Sequence, residues 1–153
     1  MEGPYKKLIA SNKKARHSYA IDDDYEAGII LVGSEVKSLR NGKVNLKESY
    51  ASIKNGEIFV YQLNIGKYSY ANIVNHDPTR PRKLLLNKAE IKKITRKVNE
   101  KGMSIIPLKI YFKNSKIKLQ IGLGKGKKLY DKRESLKQRD VKRELGRLQK
   151  KEL

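Results

Sequence analysis

Hydrophobic and polar residues alternate with period two over residues 116–123. Ile117, Leu119, Ile121 and Leu123 point one way, and Lys116, Lys118 and Gln120 the other, as in a half-buried strand with a basic outer face. Residues 103–112 carry a related pattern, with Leu108, Ile110 and Phe112 set against Lys109 and Tyr111 and with Pro107 interrupting the run. Lys113-Asn114-Ser115 turns that strand back into the next. A second hairpin is marked by Asn55-Gly56 between Tyr50-Ala51-Ser52-Ile53 and Ile58-Phe59-Val60-Tyr61, because Asn-Gly accepts the positive φ angles of a tight turn. Residues 64–74 predict one more strand from the alternation of Tyr68 and Tyr70. Tyr19-Ala20-Ile21 and Gly28-Ile29-Ile30-Leu31-Val32 predict two strands around an acidic turn, Asp22-Asp23-Asp24.

Helical spacing is found in two places. Ser34 is placed to cap a short helix with Val36 and Leu39 facing inward, Lys37 and Arg40 left free, and Asn41-Gly42 ending it. Asn87 and Glu90 have the spacing of a reciprocal capping box, Ile91, Ile94 and Val98 supply a buried face, and Gly102 supplies the stop. Several antiparallel strands with few helices predict a mainly β fold. A small closed antiparallel barrel, a Greek key of about six strands, leaves the fewest exposed edges.

The chain has 153 residues, enough for one domain with an extension. The pattern divides it into a basic N-terminal arm at 1–17, a body at 18–124 and a basic tail at 125–153. The arm carries Lys6, Lys7, Lys13, Lys14, Arg16 and His17 with few apolar residues, and is expected to need a partner to order it. The tail has 12 basic and 5 acidic residues. Glu134 with Lys137, Asp140 with Arg143 and Glu144 with Arg147 would face each other on a helix, each pair adding only a few tenths of a kcal/mol. Such a segment is expected to be disordered when free and to fold on a nucleic-acid surface.

Charge points to the class of partner. Lys and Arg number 36 against 16 Asp and Glu, a formal net charge of +20, so the chain repels itself and attracts polyanions, nucleic acid first. The longest apolar run, Ile29-Ile30-Leu31-Val32, is far short of the roughly 20 residues of a spanning helix. Polar Ser11-Asn12-Lys13-Lys14 stands where a secretory signal would need its apolar region. The absence of cysteine excludes disulfides, thiolate zinc sites and a cysteine nucleophile, and suits a cytoplasmic chain.

Candidate chemistry is sparse. Three adjacent aspartates lack the ligand spacing of a calcium loop, so no metal and no cofactor is expected. Asn75-His76-Asp77 places a histidine beside a carboxylate, but adjacent side chains diverge and no nucleophile is marked, so His76 reads as a hydrogen-bonding loop residue. The run Gly122-Leu123-Gly124-Lys125-Gly126-Lys127-Lys128 has Ile121 and Lys128 where a phosphate loop needs Gly and Ser or Thr. Arg80, Arg82 and Lys83 sit in a proline-bearing loop and are natural phosphate contacts.

Taken together, the motifs Asn12-Lys13-Lys14-Ala15-Arg16-His17, Tyr25-Glu26-Ala27-Gly28, Gly33-Ser34-Glu35-Val36-Lys37-Ser38-Leu39-Arg40, Asp77-Pro78-Thr79-Arg80, Arg82-Lys83-Leu84-Leu85-Leu86 and Gly126-Lys127-Lys128-Leu129-Tyr130-Asp131-Lys132-Arg133 resemble, in this order, the small protein B family. These are the RNA-binding proteins of bacterial trans-translation. The resemblance spans nearly the whole chain. It implies an oligonucleotide-binding-type barrel with about three helices and no catalysis. It implies RNA contacts in the body at Glu26, Leu85, Asn87 and Lys118. The basic side chains Arg16, Lys37, Arg40, Arg80, Arg82 and Lys83, with His17, are the further RNA-binding candidates. Glu26 cannot attract phosphate, so it is expected to accept a hydrogen bond from a base or sugar hydroxyl, or to hold a cation in place.

The resemblance further implies a tail, through Gly126, Lys127, Lys128, Tyr130, Asp131, Lys132 and Arg133, that enters the decoding region of the small subunit. Tyr130 stands where many members have histidine, and it cannot become a cation near neutral pH. The expected partners are the transfer-RNA-like domain of transfer-messenger RNA and a stalled ribosome. No membrane or small-molecule substrate is expected, and the free protein is expected to be a monomer in the cytoplasm. The alternatives are a general or ribosomal barrel for structured RNA and, from a different class, an RNA-cleaving or RNA-modifying enzyme.

Overall fold

The computed structural model describes residues 6–69 and 75–126. Among these residues, nine strands and three helices follow in the order β1 (Lys6–Ser11), α1 (Ala15–Ser18), β2 (Tyr19–Ile29), α2 (Gly33–Arg40), β3 (Val44–Asn45), β4 (Tyr50–Lys54), β5 (Glu57–Tyr61), β6 (Asn64–Ile65), β7 (Arg82–Leu85), α3 (Lys88–Lys101), β8 (Ser104–Lys113) and β9 (Lys116–Gly126). The fold is mainly β, as the alternation predicts. Seven strands pair in the order β1-β8-β4-β5-β7-β2-β9, β8 also pairs β9, and β3 with β6 forms a separate two-stranded sheet.

The hairpins form where their turn residues sit. Asn55 and Gly56 have φ of 53° and 76°, joining β4 to β5, and Asn114 with φ of 57° joins β8 to β9. In α3 the Asn87 side chain accepts from the Glu90 N–H at 2.8 Å while the Glu90 carboxylate accepts from the Asn87 N–H at 3.2 Å. Gly102, with φ of 65°, closes that helix in the left-handed conformation. Ile94 is fully buried, and Ile91 and Val98 pack against the core. The inward sides of β5, β7, β8 and β9 bring Ile58, Val60, Leu84, Ile110, Leu119, Ile121 and Leu123 into one cluster, which Leu39 of α2 joins.

Four expectations change. Residues 6–11 are not an arm waiting for a partner: they form strand β1 on the edge of β8, with Lys6 opposite Lys113 and Leu8 opposite Tyr111. Asp22-Asp23-Asp24 is not a turn between two strands, because β2 runs through it against β9 with a register shift between Ile21 and Asp23. A Cβ on Gly124 would collide there with the Ala20 backbone, so the bulge requires glycine. Ser34 does not cap α2, which starts at Gly33 after an extended Val32, with the Val32 N–H donating to Glu35 at 2.9 Å. The strand expected over 64–74 is the two-residue β6, and residues 70–74 lie outside the described residues.

Pro107 is accommodated within β8 by a register shift between Pro107 and Lys109 against β9. Asp23, freed from the turn reading, accepts from Lys97 Nζ at 3.1 Å and from the Tyr25 hydroxyl at 3.0 Å, tying β2 to α3. Burial and the Asp23 carboxylate push the Tyr25 hydroxyl up to about 12.

Candidate nucleic-acid interface

One row of paired residues crosses five strands of the sheet. Leu8 in β1 faces Tyr111 in β8, Tyr111 faces Lys118 in β9, Lys118 faces Gly28 in β2, and Gly28 faces Leu85 in β7. Paired residues in a sheet share a face. Leu119, the neighbour of Lys118, is fully buried, so this row lies on the outer side of the sheet, although Tyr111 in its middle is covered and only 5% exposed. Both its ends are apolar and exposed, Leu8 by 57% and Leu85 by 50%. A Cβ on Gly28 would lie 3.3 Å from the Leu85 Cβ, so the missing side chain gives Leu85 room to rest on the sheet.

The next row on the same face is Ser11, Lys109, Gln120 and Glu26. Glu26 is the one carboxylate of these two rows, and it is occupied. The Tyr111 hydroxyl donates to one of its oxygens, and Lys113 Nζ to the other at 2.9 Å. The Tyr111 hydrogen bond holds the Glu26 carboxyl below the usual range, with Lys113 adding to it. Burial and the Glu26 charge raise the Tyr111 hydroxyl, which therefore stays protonated and remains the donor. Glu26 thus restrains a cation, one of the two roles expected of it. Lys6 and Lys109 lie over the Tyr111 ring, 5.6 and 6.0 Å from its centroid.

Sequence-predicted residues divide into groups. Glu26, Leu85 and Lys118 fall on the outer face, and exposed Asn87 lies two residues beyond Leu85 at the start of α3. Lys37 and Arg40 are exposed on α2, with Lys37 Nζ 5.5 Å from the Tyr68 ring centroid. Arg16 and His17 are exposed on α1, and Arg16 comes within 3.9 Å of Asp24. Lys83 is ion-paired with Glu57. Gly126 ends β9, while Lys127, Lys128, Tyr130, Asp131, Lys132 and Arg133 lie outside the described residues.

Arg82 requires a correction. Its side chain is 0% exposed, and its guanidinium donates to Glu35 Oε2 and to the Leu63 carbonyl, each at 2.6 Å, and to the Pro78 carbonyl at 3.1 Å. No phosphate can reach it. Arg80 grips the same carboxylate with two bonds, at 2.6 and 2.9 Å. Glu35 is itself fully buried; burial raises its carboxyl, but Arg80, the Val32 N–H and Arg82 together outweigh that and lower it. The loop that looked like a phosphate clamp is therefore an internal clamp between α2 and β7. His76 makes a separate tie between α2 and β6: its Nε2 donates to the Ile65 carbonyl at 2.7 Å, and its Nδ1 is hydrogen-bonded with the Ser34 hydroxyl at 2.8 Å.

The sequence pattern placed Gln120 outward beside Lys118 but did not mark Lys6, Leu8, Lys109, Tyr111 and Lys113 as members of the face. Alternation in 108–112 had put Lys109 and Tyr111 outward, and that was the available signal. Among the described residues, no cluster of three or more His, Asp or Glu could hold a metal ion, and no helix is long and apolar enough to cross a membrane. The arrangement suits binding to a polyanion: lysines for phosphates, an amide for base edges and two apolar contacts.

A family model described as SmpB protein matches residues 9–151. The SsrA-binding protein of Acetivibrio thermocellus is 55% identical over 142 residues, covering 93% of this chain and 92% of that protein. That of Shouchella clausii is 56% identical over 141 residues, covering 92% and 90%. A solved structure described as "tmRNA-SmpB: a journey to the center of the bacterial ribosome" superposes with a TM-score of 0.65 at 46% identity, over 77% of this chain and 83% of that one. With a model match over most of its length and relatives above half identity, the chain belongs to the SmpB family.

Proposed function

We propose that this chain is a transfer-messenger-RNA-binding adaptor of trans-translation, which binds the transfer-RNA-like part of that RNA and delivers it to stalled ribosomes in the bacterial cytoplasm. The observation that carries the reading is the outer face crossed by the five-strand row from Leu8 through Lys118 to Leu85, apolar at both ends, with Lys6, Lys109 and Lys113 gathered around Tyr111 beside it. Family membership and the ribosome-bound tmRNA-SmpB neighbour support it. The chain acts by binding and positioning, without catalysis.

The body is read as an oligonucleotide-binding-type closed barrel. The additional β8–β9 ladder supports this, because it brings the strand order back to β8. The tail from Lys125 onward carries twelve basic and five acidic residues, and its role is to enter the decoding region and the empty messenger channel. Body and tail then divide the labour between RNA binding and ribosome sensing.

The test is a reconstituted tagging reaction on ribosomes stalled without a stop codon. Removing residues 127–153 is expected to leave RNA binding within about twofold and to abolish tagging. A truncated chain that still supports tagging would overturn the division of labour.

A further inference from the structure

Between β1 and β8 the outer face dips into a depression of about 250 Å³, lined by Lys6, Leu8, Lys109, Tyr111 and Gln120. We propose that this depression is a nucleotide subsite, taking one unpaired nucleotide of the same RNA that the Lys118–Leu85 part of the face contacts. The inference rests on the RNA-binding function and extends it to a strand that no motif marks.

Each wall of the depression has a role in that chemistry. Leu8 is the most exposed large apolar side chain among the described residues, and an edge strand has no evident use for one in water. It sits one strand from Tyr111, which is only 5% exposed because the ammonium groups of Lys6 and Lys109 lie over its ring. Neither lysine lies within 4 Å of a carboxylate among the described residues, unlike Lys113, which Glu26 holds. Cation–π contacts at the surface are weak, so both ammonium groups can turn to the phosphates flanking a bound nucleotide and expose the ring to its base. Gln120 supplies a donor and an acceptor on one planar amide, the pair that reads a base edge.

Size and continuity choose the occupant. The volume is below the roughly 300 Å³ at which pockets for drug-sized ligands begin, so one ring system fits where a larger ligand does not. The depression lies on the same register rows as Lys118 and Glu26, so RNA lying across that face passes over it. A base-paired nucleotide keeps its ring faces stacked, which leaves an unpaired one as the fitting partner.

Leu8→Ala and Gln120→Ala in the full chain are titrated with transfer-messenger RNA at physiological salt, beside Leu85→Ala and Lys118→Ala. Because the chain has no cysteine, Ser11→Cys provides a unique tether for an iron chelate that cleaves nearby RNA. The expected result is a three- to tenfold loss of affinity for Leu8→Ala and for Gln120→Ala, with unchanged thermal melting and cleavage centred on unpaired nucleotides. Cleavage confined to base-paired segments overturns the unpaired-nucleotide assignment. Wild-type affinity for these two variants, with Leu85→Ala and Lys118→Ala weakened, overturns the subsite and leaves the RNA-binding face standing. Wild-type RNA affinity with impaired tagging makes the depression a ribosomal contact and also overturns it. If all four variants bind normally, the face itself is wrong and the subsite falls with it.

Discussion

Arg82 donates its Nε–H to Glu35 Oε2 at 2.6 Å, with neither side chain exposed to water. The two residues are 47 positions apart, and their bond fastens α2 to β7. A buried ion pair need not be better than an apolar pair of the same size, but removing one partner leaves an uncompensated charge. Glu35→Ala is therefore expected to lower stability by about 3–5 kcal/mol, read as a fall in the urea midpoint. A loss below about 1 kcal/mol, the level of a surface pair, would mean that the clamp does not hold the fold.

Acid should weaken this clamp and the Glu26 hydrogen bonds to Tyr111 and Lys113. The Glu35 and Glu26 carboxyls are both held below their ordinary value of 4.5. A carboxyl lowered by folding adds stability at pH values above its unfolded pKa and loses it as pH falls through its folded pKa. Melting temperature should thus be nearly flat from neutral pH down to about pH 5.5 and drop below about 4.5. Asp23 is lowered too, and in Glu26→Gln the drop should be shallower, since one of the three groups no longer titrates. A melting temperature that instead rises as the pH falls below 4.5 contradicts this assignment.

Gly28 and Leu85 make a sharper test of the face. A β-branched side chain at Gly28 would displace Leu85, whose Cβ lies 3.3 Å from the position a new Cβ would take. Gly28→Val should cost about 1 kcal/mol of RNA binding, roughly fivefold, with the circular dichroism spectrum preserved. Leu85→Ala should lose a similar amount, and the double variant little more, because both changes remove one contact. Additive losses would place Gly28 and Leu85 in separate interactions.

Much of this architecture was readable from short-range pattern. The capping box of Asn87 and Glu90, the Gly102 stop, the Asn55-Gly56 turn and the outward position of Lys118 all depend on neighbours within a few residues. What was hidden depends on distant partners. Lys6-Lys7-Leu8-Ile9 shows no alternation, and its strand exists because β8 offers it a backbone edge. Asp22-Asp23-Asp24 looked like a turn because three acids seldom sit in a strand, yet β9 pairs through them across a bulge. Arg82 looked like a phosphate contact because local composition carries no trace of Glu35.

Arg82 and Lys118 also separate two meanings of a cation. Lys118→Ala should reduce the salt dependence of RNA binding by about one unit of slope and leave melting unchanged. Arg82→Lys keeps the charge but loses the fork that joins Glu35, Leu63 and Pro78. It should lower the melting temperature with the salt slope intact. A reduced slope for Arg82→Lys would mean that this guanidinium reaches phosphate after all.

The most direct measurement is competition of the full-length chain between transfer-messenger RNA and bulk transfer RNA at physiological salt, with Lys118→Ala alongside. Nonspecific attraction to this charge is strongly salt-dependent, so a preference that survives at that salt reports recognition by the face. The adaptor account predicts strong preference for transfer-messenger RNA, weakened by Lys118→Ala. Equal binding to both RNAs, indifferent to that substitution, would contradict it and leave a general basic RNA-binding protein.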